Sequence, residues 1–248
     1  MKSAYEILTS DNELNYILDN INYRLNSLIN FEKETSGINY IYCCHGRHHT
    51  FHVVGLTEYI LSALSYDSHT IELGKIAGLL HDIGNYYGRS DHAKVSASMC
   101  LSFVSKTNLN LNDSRIIEQA VFDHSKGTDI KSAVGAALFI ADKVTDKDRG
   151  KPAKADLIKG GFDNEYELNK YDSNLSAGQN TKYTVKDFRF NIENRDLVYN
   201  YFVEGDTEVY INEYIIEKKK PVRILTQNAA DYLKCNCIYK VNDEEIKV

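Results

Sequence analysis

The first 151 residues contain no proline, and within them apolar side chains return repeatedly at three- and four-residue spacing. Proline removes a backbone donor and clashes with the preceding turn, so its absence over so long a run favours uninterrupted helix. Leu14, Ile17, Leu18, Ile21, Leu25 and Leu28 make the first stripe, behind a Ser10–Glu13 pair that reads as a capping box. A second helix is predicted to begin near Arg47–Thr50 and to bury Val53, Leu56, Ile60, Leu61 and Leu64. A third runs from about Ile71 to Asp82 with Leu73, Ile76, Ala77 and Leu80 inward, and a fourth from about His92 to Val104 with Val95, Met99, Cys100 and Phe103 inward. Asn112 or Asp113 can cap a fifth through Val121. A sixth covers about Ile130 to Val144. The expectation is a helical bundle over residues 1–150.

The pattern changes at Arg149-Gly150-Lys151-Pro152. Residues 151–184 are polar and read as a long crossing. Beyond them the period becomes two: Phe188, Phe190 and Ile192 share one face of a strand, and Leu197, Tyr199 and Tyr201 one face of the next. Val209 to Lys219 reads as helix, Val222–Leu225 behind Pro221 as a short strand, and Cys237 to Val248 as a hairpin turning at Asn242-Asp243. The fold class expected is therefore mainly α, with a small α+β module over residues 151–248.

Composition narrows the function. The net charge is −6, and the only run of basic residues is Lys218-Lys219-Lys220, so duplex nucleic acid is not the expected partner. The five cysteines are odd in number and include two crowded pairs, Cys43 with Cys44 and Cys235 with Cys237, which suits reduced thiols rather than disulfides. The start of the chain lacks the basic-then-apolar order of a signal peptide. The longest apolar run, Ala133 to Ala141, is far short of the ~20 residues of a membrane span. A soluble, cytoplasmic protein is the expectation.

The chemistry gathers in three places. His81-Asp82, followed by Ile83-Gly84, closes an apolar helix. Adjacent residues inside a helix point about 100° apart, but at its end the backbone can bend and bring both to one ion. An imidazole nitrogen with a carboxylate oxygen suits a borderline divalent metal such as iron, manganese, zinc or nickel. Upstream, Arg47-His48-His49-Thr50-Phe51-His52-Val53 opens a helix, and downstream Asp142 follows the apolar Phe139-Ile140-Ala141. An aspartate on an apolar helix face is costly unless it is paired or binds metal.

Together these motifs resemble the HD superfamily of metal-dependent phosphohydrolases. That family carries a histidine on one helix, a His-Asp doublet at the end of a later one, and a distant aspartate after an apolar run. The resemblance covers about residues 40–150 and implies His49, His81, Asp82 and Asp142 as metal ligands. The family's His-Thr/Ser-x-x-Val spacing selects His49, with Thr50 and Val53, over His48 and His52; His45 falls in the loop before that helix. His92, in Asp91-His92-Ala93, and His124, in Asp123-His124-Ser125-Lys126-Gly127, match the members that bind two metals with the doublet aspartate bridging them. Diadenosine-tetraphosphate hydrolases of the HD class are similar in this respect.

The resemblance implies two divalent ions, of iron, manganese or another transition metal, and hydrolysis of a phosphate ester or anhydride, most naturally in a nucleotide or dinucleotide. Asp82, Arg89 and Lys143 are the catalytic candidates. Arg89, Lys126 and Arg149 are the candidates for holding substrate phosphate, with Arg89 placed best, in the loop between two ligand-bearing helices. The partner expected is a small phosphate compound, with neither membrane nor duplex nucleic acid; the C-terminal module can shape the substrate cleft or a homodimer. HD-type di-iron oxygenases share the six ligands, so oxygen chemistry is the alternative, and a non-catalytic nucleotide- and metal-binding regulator is the third reading.

Overall fold

The computed structural model describes residues 2–36, 45–144 and 183–248. Among the described residues seven helices form the first part: α1 (Ala4–Thr9), α2 (Asn12–Ser36), α3 (Arg47–Ala63), α4 (Ser68–Leu80), α5 (His92–Val104), α6 (Leu111–Asp123) and α7 (Ala133–Val144). A single 3₁₀ turn, Ile83–Tyr86, joins α4 to the α5 region. The predicted stripes face inward: Leu14, Ile17, Leu18, Ile21 and Leu25 of α2 are buried, as are Val53, Ile60 and Leu61 of α3 and Leu73, Ile76, Ala77 and Leu80 of α4. On α5 the buried face is turned from the expected one. Ala93, Ser96, Ala97, Cys100 and Phe103 are covered, while Val95 and Met99 sit at its margin.

α7 is the centre of the bundle. Every residue from Val134 to Asp142 is buried, because α3, α4, α6 and a C-terminal helix pack around it. This explains the unbroken apolar run from Ala133, since a helix enclosed on all sides has no solvent face to mark with polar residues. Gly78 of α4 lets that helix approach α3 closely: a Cβ there would meet the Val54 backbone at 3.1 Å.

The first two caps differ from the expected pattern. Ser10 does not open α2; it closes α1, and its hydroxyl donates to the Glu6 carbonyl. Asp11 caps α2 by accepting from Leu14 N at 2.9 Å. The capping box lies one helix earlier, between Ser3 and Glu6. Likewise α4 is capped by Asp67 and α6 by Asn110.

The second part holds a four-stranded sheet in the order β1-β2-β3-β4. β1 (Tyr183–Glu193) and β2 (Asp196–Gly205) pair antiparallel, with a bulge between Val185 and Asp187. β3 (Cys237–Val241) lies parallel to β2, and β4 (Glu244–Ile246) returns antiparallel to β3 through the Asn242-Asp243 turn, where both residues have positive φ. The crossing from β2 to β3 is helical. α8 comprises Thr207–Val209 and the π-helical Tyr210–Lys218, and α9 follows as Lys220–Tyr232. Pro221 therefore starts a helix and not a strand; its fixed φ suits the first helical turn, where no backbone donor is needed. The crossing expected over 151–184 lies almost wholly outside the described residues.

The sheet module rests on the bundle. α9 packs against α7, Ile192 N donates to the Tyr59 hydroxyl at 3.1 Å, and the Tyr232 hydroxyl donates to the Lys131 carbonyl at 2.9 Å. One apolar core runs through both parts.

Candidate metal centre

Five helix ends and one loop bring five histidines and two aspartates together in the interior. His49 comes from the first turn of α3, His81 and Asp82 from the end of α4, His92 from the start of α5, His124 from the end of α6, Asp142 from the last turn of α7, and His45 from the loop before α3. All seven are buried, none more than 8% exposed.

Local geometry aims three of the imidazoles. His81 Nδ1 donates to the Gly78 carbonyl at 2.8 Å, His124 Nδ1 to the Val121 carbonyl at 2.6 Å, and His92 Nδ1 to the Arg89 carbonyl at 3.1 Å. Each acceptor lies three residues back. A carbonyl accepts only, so these bonds place the proton on Nδ1 and leave the Nε2 lone pair directed at the cluster. Gly84 makes the doublet's turn fit against α5: its N–H donates to Ser96 Oγ at 2.8 Å, and a Cβ would meet Ser96 N at 2.6 Å.

Asp82 stands in the middle, and its two oxygens face different histidines. Oδ1 is 3.5 Å from His92 Nε2 and 3.4 Å from His124 Nε2. Oδ2 is 3.3 Å from His81 Nε2 and 3.5 Å from His49 Nε2. Asp142 closes the second group, with Oδ1 3.3 Å from His49 Nε2 and 3.8 Å from His81 Nε2. The two imidazoles of this group are 3.2 Å apart at Nε2. Donor atoms around a first-row divalent ion at about 2.0–2.2 Å lie roughly 3.0–3.5 Å from one another, so the spacing suits such an ion. Among the described residues three overlapping groups have the proximity a metal site needs: His45, His49 and Asp82; His49, His81 and Asp142; His81, Asp82 and His124.

The charges also call for a cation. Burial alone would raise the Asp82 pKa, but the charges of His81 and His45, with hydrogen bonds from His124 and His45, hold it well below the carboxylate range. Burial disfavours charge on His81 too, yet Asp82 and Asp142 raise its pKa above the ordinary imidazole value. A proton and a metal ion compete for that Nε2. On the other side of Asp82 burial wins. It lowers His124, and it brings His92, with help from Arg89 and His124, down to about 4. Those two imidazoles are neutral at physiological pH and can donate lone pairs.

The remaining candidates are spread around this cluster. Arg89 is half-buried, donates from Nη1 to Asn85 Oδ1 at 3.1 Å, and lies close enough to His92 to disfavour its protonation. No carboxylate among the described residues pairs with it. Lys143 is bound to Asp142 Oδ2 at 2.8 Å and lies over the Phe139 ring. Lys126 is exposed and acts on Asp91; no hydrogen bond or ion pair joins it to the cluster among the described residues. Arg149 lies outside the described residues. His48 is exposed, and His52 half-buried.

Two participants were not expected from the sequence. His45 Nδ1 is 2.9 Å from Asp82 Oδ2. Its only sequence signal is its position four residues before His49. Asn85, one turn beyond Asp82, is fully buried; Arg89 occupies its oxygen, and its Nδ2 has no hydrogen-bond partner among the described residues.

Comparison with known proteins finds a likeness over the helical part. Residues 46–149 match the HD domain. The matched span begins at the N-cap of α3 and contains His49, His81, Asp82, His92, His124 and Asp142. A crystal structure described as a predicted HD superfamily hydrolase from an uncultured Thermotogales bacterium is 17% identical, covering 68% of this chain and 92% of its own, with a TM-score of 0.40. A search of curated proteins found no match. No helix among the described residues is long and apolar enough to cross a membrane.

Proposed function

We propose that this protein hydrolyses a phosphate ester or anhydride in a small molecule, of the nucleotide or dinucleotide class, with two divalent transition-metal ions. The observation that carries the reading is the division of Asp82: one carboxylate oxygen faces His49 and His81, the other faces His92 and His124. A carboxylate so placed can bridge two ions. His49, His81, Asp82 and Asp142 would hold one, and His92, His124 and Asp82 the other. The HD domain match supports the same class of chemistry.

Bound divalent ions supply Lewis acidity, drawing charge from phosphoryl oxygens and making a nearby water more acidic. The chain's residues do the rest. The imidazoles fixed by their Nδ1 bonds present lone pairs without reorganising, which is where a preorganised site gains its advantage. Arg89, with no carboxylate partner among the described residues, is the cation for the substrate's phosphate. Asn85 fixes one guanidinium nitrogen, and that bond leaves its own Nδ2 as a second donor beside it. Lys143 is engaged by Asp142, so its part is to hold that carboxylate with Oδ1 toward the histidines.

The test is metal analysis of the full chain, followed by a screen of nucleotides and dinucleotides with iron, manganese, cobalt or nickel. Phosphate release by the wild type, lost with the metal in Asp82→Ala at unchanged helicity, is the expected result. Full turnover by Asp82→Ala would overturn the reading. Substrate-dependent oxygen consumption by the iron form, without phosphate release, would replace hydrolysis with oxygen chemistry.

A further inference from the structure

His45 differs in orientation from the other imidazoles of the cluster. His81, His92 and His124 turn Nδ1 to a backbone carbonyl and Nε2 to the centre. His45 turns Nδ1 to a carboxylate oxygen, Asp82 Oδ2, at 2.9 Å. That is shorter than the 3.3 and 3.5 Å from the same oxygen to His81 and His49. The shorter distance is that of a donated hydrogen bond, whereas the longer ones are those between two ligands of a common ion.

The two aspartates are supported differently. Asp142 offers Oδ1 to His49 and His81, and its Oδ2 accepts from Lys143. Asp82 cannot give an oxygen away, because both of its oxygens face histidine groups. A carboxylate oxygen has two lone pairs, however, and a single N–H can hold one while the other stays available. His45 meets that requirement. It is 3% exposed, and its backbone is anchored from α2, where its N–H donates to Asn22 Oδ1 at 3.0 Å. The next residue, Gly46, lies against the same Asn22 side chain, since a Cβ there would meet Asn22 Nδ2 at 2.8 Å. Arg47 ties the start of α3 to α2 through Asp19 Oδ1 at 2.6 Å and Asn15 Oδ1 at 2.8 Å. The donor is thus positioned from outside the ligand set.

We propose that His45 is a positioning residue: through Nδ1–H it locks the Asp82 carboxylate in the bridging orientation, so that the pair of ions, and the second ion in particular, depends on it. The proposal rests on the two-ion reading above. Without this bond the carboxylate is free to turn and serve a single ion with both oxygens.

The experiment is titration of the metal-free full chain with manganese(II), read by calorimetry for the number and affinity of ions and by electron paramagnetic resonance for exchange coupling between them. The variants are His45→Ala, His45→Asn and His45→Gln, with helicity followed by circular dichroism. Asparagine places an amide N–H where Nδ1 stands; glutamine places it nearer Nε2. Wild type and His45→Asn are expected to bind two coupled ions. His45→Ala and His45→Gln are expected to weaken the second ion about 10- to 100-fold and to lose the coupling, as outer partners of metal ligands do when removed. A coupled pair of unchanged affinity in His45→Ala would overturn the proposal and leave the two-ion reading standing. Equal losses in the asparagine and glutamine variants would overturn it as well, showing that the ring itself, and not the donor at Nδ1, matters; this comparison holds even if the alanine variant fails to fold. A wild type that binds one ion would overturn the two-ion reading and the role of His45 with it.

Discussion

Lys143 holds Asp142 by one oxygen at 2.8 Å while the other oxygen of that carboxylate stands 3.3 Å from His49 Nε2. Two adjacent residues in the last turn of α7 thus divide the work, one facing the cluster and one fixing its neighbour. Lys143→Met should weaken metal binding by about 10- to 100-fold, the effect expected of an outer partner of a metal ligand. Competition against a chelator of known affinity measures it. Unchanged affinity would make the contact incidental.

Arg89 is expected to act on substrate and not on metal. Arg89→Ala should lower kcat/KM by about 10- to 100-fold, the range for loss of a charge-assisted hydrogen bond, with metal content unchanged. Arg89→Lys should restore only part, since an ammonium lacks the planar fork. Steady-state kinetics with metal analysis on the same samples decide it. Unaltered kinetics in the alanine variant would assign Arg89 to the surface.

Gly84→Ala puts a methyl group against the first turn of α5, where Ser96 N would be 2.6 Å away and the His92 carbonyl also lies in its path. Overpacking of this kind costs about 1–3 kcal/mol. The urea midpoint should fall accordingly, and, on the two-ion proposal, the second ion should weaken because His92 is pushed from Asp82. A stability equal to wild type would mean that the turn shifts freely.

His69 Nε2 and Asp113 Oδ1 are 2.9 Å apart, and this hydrogen bond raises the His69 pKa against a small opposing effect of burial. A raised folded-state pKa contributes stability that is fully present below the unfolded value of 6.5 and is lost as pH rises through the folded value. His69→Ala should therefore lower Tm at about pH 5.5 and lower it less at about pH 8.5. Equal losses at both would remove the ionic part of the contact.

We propose a division of the chain near residue 150. A fragment of residues 1–150 should be helical and bind metal, because His49, His81, Asp82, His92, His124 and Asp142 all precede the cut. It should melt below the full chain, since it bares the face of α7 that α9 covers. Circular dichroism and metal content check both. A folded fragment without metal would place a missing ligand in the C-terminal module.

Much of this was legible in the sequence, for identifiable reasons. The helices of the bundle were marked by stripes, and the doublet and Asp142 stood out because each breaks an apolar run. The errors were local. Ser10 matched the spacing of a capping box, but Asp11 has the carboxylate one residue nearer the helix and takes the bond. Pro221 suggested a strand, although Leu225, Thr226, Ala229, Ala230 and Leu233 keep helical spacing and form the covered side of α9 and its end. His45 and Asn85 were missed because they act through contacts between segments far apart or on different elements. The bond from His45 to Asp82 spans 37 positions, and no periodicity encodes such a distance.

The carbonyl bonds of His81, His92 and His124 have a further mechanical consequence. Each ring takes its bearing from an atom three residues away on its own stretch of backbone, so its heading is written inside one turn of chain. When neighbouring helices slide, such a ring travels with its turn and keeps its heading. The centre can therefore absorb small translations of its walls as changes of span, while a swivel of any one donor requires breaking a covalently local reference.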